Sequence, residues 1–294
     1  MKVLVLGSKG QLGRCLNDQL DSTDLNVIYT SRELVDITNF EETKSKIFDF
    51  FPDIVINATA YTAVDKAEEE QEMANIINNL AVANLAKICK QLDSWLIHIS
   101  TDYVFDGNSD IPYIEDDKKN PQNIYGETKL NGELAIQSLG CNHIIIRTAW
   151  LFSEYGNNFL KTMLRLGEDR DELSIVGDQV GCPTYAQDLA KVIVIITNRL
   201  KDNSFASGIY HYCGFTSCSW YQFAKLIFLE ADQLNFRSPK KLREISSNLY
   251  EKAAKRPDFS ILNCSKLDNV LNLEKPELTH GIKNSLKALI VNDW

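Results

Sequence analysis

Tyr125 and Lys129, in the run Tyr-Gly-Glu-Thr-Lys, are the first residues of this chain whose spacing allows joint chemistry. Four residues apart on a helix, they share one face. A free phenol has a pKa of about 10. A nearby ammonium favours the phenolate and lowers that value. A tyrosine tuned in this way can protonate a carbonyl oxygen or take a proton from an alcohol. The spacing alone arises often by chance, so other parts of the chain have to support it.

The first support lies at the amino terminus. Gly7, Gly10 and Gly13 form Gly-x-x-Gly-x-x-Gly between an apolar strand, Val3 to Leu6, and a helix-like run through Leu20. In that context glycines let the backbone turn tightly and approach a pyrophosphate, while the helix amino terminus offers free N–H groups to the anion. A plain strand-to-helix turn is the simpler alternative. The second support is Ser100-Thr101-Asp102, at the carboxyl end of the strand read from Trp95 to Ile99. Ligands of doubly wound sheets bind at that edge. Thr101, Tyr125 and Lys129 together supply polarisation of a carbonyl oxygen and a proton for it, and the glycine loop supplies a dinucleotide that carries hydride.

Other segments refine the cofactor. The second strand, Asn26 to Thr30, ends in Thr30-Ser31-Arg32, where such folds often carry an acid for the adenosine ribose. Without the acid, Ser31 and Arg32 can pair a 2′-phosphate. This favours NADPH and leaves NADH open, with Glu33 counting against. Asp36 either reaches the adenine or, like Thr38, caps the next helix. The third strand, Asp53 to Asn57, leads into the small residues around Ala60, Tyr61 and Thr62, which permit close backbone approach. Ala63 to Leu92 reads as one long helix with Glu68 to Glu70 as a solvated face, and His143 to Thr148 as the fifth strand.

The order of elements predicts an α/β fold, a Rossmann-like doubly wound parallel sheet with a smaller, interleaved C-terminal substrate lobe. Residues 1–152 form the expected dinucleotide-binding part, joined by a later segment at about 178–213, and residues 153–294 mainly form the substrate lobe. In that lobe Leu173 to Val176 reads as a strand, Asp178 to Thr184 as a loop, Gln187 to Leu200 as a helix and Ile209 to Cys213 as a strand. The remainder reads as helical pieces broken at Pro239, Pro257 and Pro276.

Composition excludes several partners. A net charge of -9 over 294 residues argues against nucleic acid and anionic membrane. The densest cationic run, Lys240 to Arg243, reads as a solvated face. The longest apolar run, Val192 to Ile196, is far too short to span a bilayer. The first residues read as a strand rather than a signal peptide, so the cytoplasm is expected. Seven scattered cysteines without a Cys-x-x-Cys pair suit reduced thiols. No metal site is expected; the closest to one is His211, Cys213 and Cys218, which read as small buried residues.

Taken together, the glycine loop, the strand-end hydroxyl and Tyr-x-x-x-Lys resemble the extended short-chain dehydrogenase/reductases, and more closely the dTDP-4-dehydrorhamnose reductases. The passages GSKGQLG, VINATAYTAVDKAE, HISTDYVFDG, IPYIEDD, YGETKLNGE, IIRTAW, GNNFLKTMLRL, DQVGCPT and RPDFS carry the resemblance in that order. It implies reduction of the C4 keto group of a dTDP-4-dehydro-6-deoxy sugar with NAD(P)H, to make dTDP-L-rhamnose for surface polysaccharide. By position it implies Tyr125 as proton donor, Lys129 as its partner, Thr101 on the sugar carbonyl and Asp102 near the sugar. Asn78 matches an asparagine of a proton relay. Gly10, Gln11, Leu12, Asp36, Ile37, Ala60, Tyr61 and Thr62 match cofactor-contacting positions. Trp150 matches a residue lining the sugar site, and Asn158 and Arg256 match regions facing the diphosphate. Read as plain residues, Trp150 ends a strand, Asn158 caps a helix and Arg256 precedes a proline at the surface. Many relatives have histidine in place of Tyr61. Some form a metal-linked dimer through a glutamate where this chain has Cys15; the cysteine argues against that assembly and leaves a homodimer of another kind open. Two alternatives remain from the sequence: another nucleotide-sugar reductase or epimerase of the same fold, and a non-catalytic subunit resembling the regulatory subunit of methionine adenosyltransferase.

Overall fold

Alternation along the first strand sets the layers. β1 (Lys2–Leu6) sends Val3 and Val5 to one face and Leu4 and Leu6 to the other, and all four are buried. In this computed structural model, which describes residues 1–202, 204–250 and 252–291, β1 lies inside a six-stranded sheet. Strands buried on both faces by helices read as near-continuous apolar runs, as β1 does.

In chain order the first half runs β1, α1 (Gln11–Leu20), β2 (Asn26–Thr30), α2 (Phe40–Phe50), β3 (Ile54–Asn57), α3 (Val64–Ala67), α4 (Gln71–Asn75), a π-turn (Ile76–Leu80), α5 (Ala81–Leu92), β4 (Trp95–Thr101), α6 (Ile124–Leu139) and β5 (His143–Thr148). The second half runs β6 (Leu151–Phe152), α7 (Phe159–Asp169), β7 (Glu172–Val176), β8 (Val180–Gly181), β9 (Thr184–Tyr185), α8 (Ala186–Lys201), β10 (Gly208–His211), β11 (Cys218–Ser219), α9 (Trp220–Gln233), β12 (Lys241–Ile245), α10 (Ser265–Leu271) and α11 (Leu278–Val291). The sheet order is β10-β5-β4-β3-β1-β2, parallel throughout. Val3, Val5, Ile54, Ile56, Ile144 and Ile146 pack with Leu12 and Leu16 of α1 and Leu189 and Ile193 of α8. The opposite face, with Leu4, Val55, Leu96 and Ile145, packs with Ile47 of α2, Leu85 of α5 and Ile136 of α6. A separate core joins Leu160 and Leu164 of α7, Phe223 and Ile227 of α9 and Ile282 and Leu286 of α11. Among the described residues no helix is long and apolar enough to cross a membrane.

Four expectations need correction. The stretch from Ala63 to Leu92 is not one helix. It breaks after Ala67 and resumes at Gln71, and the resumed helix runs through a π-turn at Ile76–Leu80 that holds the buried Asn78. Glu68 to Glu70 are not only a solvated face: Glu68 accepts the Ile124 N–H (2.9 Å) and Glu70 the Tyr61 hydroxyl (2.7 Å). The expected loop at Asp178 to Thr184 contains β8 and the first residue of β9. The tail expected to be helical contains β12, which runs parallel to β7. That strand is largely exposed, and its charged side chains pair with neighbours, as Arg243 does with Glu172. Exposure removed the apolar alternation by which a strand is recognised.

An ion pair crosses the interior beneath the sheet edge. Arg147 of β5 is fully buried and donates from Nη2 and Nε to Glu133 of α6 at 2.7 and 3.0 Å. Its Nη1 donates to the Glu115 carbonyl at 3.1 Å and contacts His211 Nε2 at 3.3 Å. Removing one member of such a pair costs about 3–5 kcal/mol, because the other charge stays buried. Glu133→Leu should therefore lower the unfolding free energy by about that amount in urea titration, and Glu133→Leu with Arg147→Met should recover much of it. A loss below about 1 kcal/mol in the single variant would contradict this account.

Candidate active site

The glycine loop is shaped by close approach. Gly7 has φ +80°, and the N–H groups of Gly7 and Ser8 donate to Thr30 O at 3.0 and 2.9 Å. A Cβ on Gly13 would lie 2.1 Å from Gly7 O, so only glycine lets α1 start this close to the loop. Gly10 caps α1 without a side-chain bond, leaving the N–H groups of Gln11 and Leu12 facing outward for an anion. The Leu12 side chain is in the core, so the backbone is what it offers a ligand.

Around the loop the expected cofactor residues divide into backbone and side-chain groups. Ile37 is buried in the core, and only its backbone can meet a ligand. Asp36 accepts the Thr38 N–H (3.0 Å) and hydroxyl (2.7 Å) just before α2, while the helix cap itself is Asn39. Arg32 is exposed and pairs with Asp36 at 3.2 Å. The Ser31 hydroxyl donates to Glu33, which also pairs with Lys9 at 3.2 Å. The Ser31 bond, the backbone and Lys9 hold the Glu33 carboxyl down at about 2, so it is charged at neutral pH. A 2′-phosphate at Ser31 would therefore meet Arg32 and Lys9 together with a carboxylate. On the other side of the crevice Ala60 and Thr62 are exposed. Asn78 clamps the Tyr61 peptide between them, accepting its N–H (2.9 Å) and donating to its carbonyl (3.1 Å).

The reacting groups meet at the end of β4. α6 starts close beneath it because residue 126 is glycine; a Cβ there would lie 2.2 Å from Tyr103 O. Asn123 caps the helix by accepting the Gly126 N–H at 2.8 Å. Tyr125, in the first turn of α6, lies close to Thr101, whose hydroxyl bonds Asp102. Burial pushes the Tyr125 pKa up to about 12, against the lowering effect of Thr101. Lys129 is buried, and its Nζ donates to Ile99 O at 2.6 Å and meets His98 Nε2 at 3.2 Å. Burial lowers its pKa to about 8. Desolvation dominates Tyr125, whose phenol therefore stands above its ordinary value, while Lys129 is bonded to β4.

Asp102 is buried, accepts from the Thr101 hydroxyl at 3.0 Å, and its Oδ2 has no partner among the described residues. Burial pushes its pKa up to about 7. Tyr103 sets its ring edge against Tyr125, with centroids 5.7 Å apart. Arg256 is half-buried and pairs with Asp65 at 2.9 Å, so it is not a free surface residue. Trp150 has φ +45° and stacks on Trp220 at 3.4 Å. Gly181 makes room for it; a Cβ there would lie 2.5 Å from the indole. Asn158 does cap α7, accepting the Lys161 N–H at 3.1 Å, and its amide N–H donates to Gln11 at 2.9 Å, tying α7 to the glycine loop. Cys15 is fully buried in the core under the sheet, so its thiol has no route to a neighbouring molecule. Among the described residues no group of three or more His, Cys, Asp or Glu side chains is set to hold a metal.

Sequence reasoning missed His98, Asn57, Tyr103 and Trp220. The first two carried a usable signal, since a polar residue inside an otherwise apolar buried strand requires a partner.

The family described as RmlD substrate binding domain matches residues 1–291. The dTDP-4-dehydrorhamnose reductase of Sinorhizobium fredii is 39% identical over 293 residues, covering 99% of this chain and 98% of that one. The crystal structure of a dTDP-4-dehydrorhamnose reductase from Clostridium acetobutylicum superposes with a TM-score of 0.92 at 38% identity, covering 99% of this chain and 100% of that one. The Bacillus anthracis dTDP-4-dehydrorhamnose reductase, solved in complex with NADP, superposes with a TM-score of 0.89 at 36% identity, covering 98% and 99%. With a glycine loop, a Thr-Tyr-Lys constellation and end-to-end similarity to these proteins, the chain belongs to the RmlD substrate binding domain family, the family of the dTDP-4-dehydrorhamnose reductases.

Proposed function

We propose that this chain reduces the C4 keto group of dTDP-4-dehydro-6-deoxy-L-mannose with NADPH, giving dTDP-L-rhamnose. The observation that carries the reading is the closeness of Thr101 and Tyr125, with Lys129 Nζ bonded to Ile99 O of the same strand, at the sheet edge that also carries the glycine loop. Full-length similarity to reductases of this name, one solved with NADP, supports the substrate and cofactor. Residues 1–152, with α8 and β10, serve as the dinucleotide-binding part and residues 153–294 mainly as the substrate lobe. Sugar-nucleotide chemistry that consumes NADPH and a net charge of -9 support work in the cytoplasm without nucleic acid.

The residues present fit the cofactor, since the glycine loop brings the start of α1, with its free N–H groups, against the end of β1. Gly7, Gly10 and Gly13 shape the loop so that the backbone N–H groups of Gln11 and Leu12 hold the pyrophosphate. Ser31 and Arg32 hold the 2′-phosphate. Asp36, Ile37, Ala60, Tyr61 and Thr62 flank the adenine side and the crevice. NADPH supplies hydride to the sugar C4 when bound. Thr101 donates a hydrogen bond to the C4 oxygen, and Tyr125 gives that oxygen its proton. A phenol raised to about 12 is fully protonated at neutral pH, so the acid is loaded before the substrate arrives. Asp102, with an unpartnered oxygen, accepts from a sugar hydroxyl. Trp150 forms a wall of the sugar pocket, and Asn158 and Arg256 face the diphosphate.

NADPH oxidation should proceed with dTDP-4-dehydro-6-deoxy-L-mannose and not with its D-configured precursor; turnover of only the D-sugar, or of neither, would defeat the proposal. Tyr125→Phe should lower turnover at least about a hundredfold, and a rate near wild type would remove Tyr125 from the mechanism. Arg32→Ala should raise the KM for NADPH more than that for NADH. Equal effects would show that Arg32 does not read the 2′-phosphate.

A further inference from the structure

His98 is buried on β4, directly across from Asn57 of β3 in the strand register. Its Nδ1 lies 3.2 Å from Asn57 Nδ2, and its Nε2 lies 3.2 Å from Lys129 Nζ. The direction of this chain is fixed from its far end. The Thr59 backbone N–H can only donate, and the Asn57 atom that receives it, at 3.1 Å, must be the carbonyl oxygen. The Thr59 hydroxyl points to the same oxygen at 2.5 Å. Asn57 therefore turns its NH2 to His98, and Nδ1 has to accept. A neutral imidazole carries one proton, and here it belongs on Nε2, facing the lysine. Burial holds His98 well below its ordinary pKa, consistent with a neutral ring.

An ammonium has no acceptor. Against an Nε2–H group it makes a donor-to-donor contact, whereas the uncharged amine offers a lone pair. We propose that His98 is a positioning residue for Lys129: held by Asn57 with its proton on Nε2, it presents a donor to Nζ and favours the uncharged amine over the ammonium. Donation from Nζ to Ile99 O is available to both forms. The titratable groups that face Nζ are few. Tyr125 and Glu133 lie on its own helix, with Glu133 held by Arg147, and His98 comes from β4. β3 and the π-turn contribute the neutral amides Asn57 and Asn78. Glu133 works toward the ammonium and His98 against it, with burial on the side of His98.

Lys129 then gives up its proton more readily, and because its ammonium would hold the nicotinamide ribose in the proposed reaction, the alkaline limit of kcat/KM follows that loss. Sequence comparison of the pair Tyr125 and Lys129 alone does not contain this control, because it comes from two strands and a loop. This reading rests on the reductase assignment only for its kinetic consequence. The tautomer can be read without any substrate.

The test has two arms. In the wild-type protein, 15N NMR of the imidazoles should show His98 with a protonated Nε2, an unprotonated Nδ1 and no conversion to imidazolium down to mildly acid pH. A proton on Nδ1, or an imidazolium, would overturn the proposal whatever the enzyme reduces. In the second arm, His98→Gln exchanges the donor for an amide that can turn its oxygen to Nζ. The alkaline limb of kcat/KM should move up by about one pH unit or more, a tenfold change in the proton affinity of Lys129. An unmoved limb would overturn the proposal, even if kcat falls. Should that variant not fold, Asn57→Asp accepts where the amide donated, moves the His98 proton to Nδ1 and should shift the limb in the same direction. If the tautomer is as stated but the sugar is not reduced, the assignment of function fails and the role of His98 stands.

Discussion

One polar stripe on α6 has to be buried against an apolar sheet, and much of the molecule follows from how that is done. Tyr125, Lys129 and Glu133 stand four residues apart, on one helix face. The face lies on β4, where Thr101, His98 and Ser100 meet them in turn. Burying a charge without a partner is costly, so each member of the stripe draws in another element. Glu133 draws in Arg147 from β5, which reaches on to Glu115 and His211. Lys129 draws in His98 and through it Asn57. Only Tyr125, at the open end, is left with an unfilled role.

The stripe separates two tasks that the sequence suggests are shared. The ion pair at its base is a matter of folding. The phenol at its tip holds its proton firmly because water is excluded, and the Thr101 hydroxyl is the one group that pulls in the other direction. Between them Lys129 is in contact with both the sheet and the site. Small residues permit this arrangement: Gly126 lets the helix approach the turn after β4, and Gly13 lets α1 approach the loop that feeds it.

Much of this was legible in the sequence, for physical reasons. Strands buried on both faces appear as apolar runs, and the glycine loop appears as a spacing, so the sheet and the cofactor edge could be read directly. Tyr125 and Lys129 could be paired because helical spacing is local. What could not be read was what each residue bonds to across the fold. The bonds of Lys129 to Ile99 and His98 of β4 are of this kind. Asn158 appeared as either a cap or a ligand contact, and it is a cap that also bonds Gln11. β12 was lost because an exposed strand lacks apolar alternation, and the π-turn because one extra residue in a helix leaves the overall periodicity nearly unchanged.

Trp150 has a backbone that few side chains tolerate, a left-handed conformation that costs a non-glycine residue about 1–2 kcal/mol. β5 ends at Thr148 and β6 begins at Leu151, so the turn between the sheet and the second core is Ala149 and Trp150 alone. The Trp150 indole is pinned by Trp220 on one side and by the bare backbone of Gly181 on the other. There is no slack in such a joint. Lengthening the chain by one residue here would not produce a looser hinge; it would rotate the indole out of its slot and part it from Trp220. The two halves of the molecule are thus cut to a common length, and variation around this joint has to come from the side chains that flank it rather than from the joint itself.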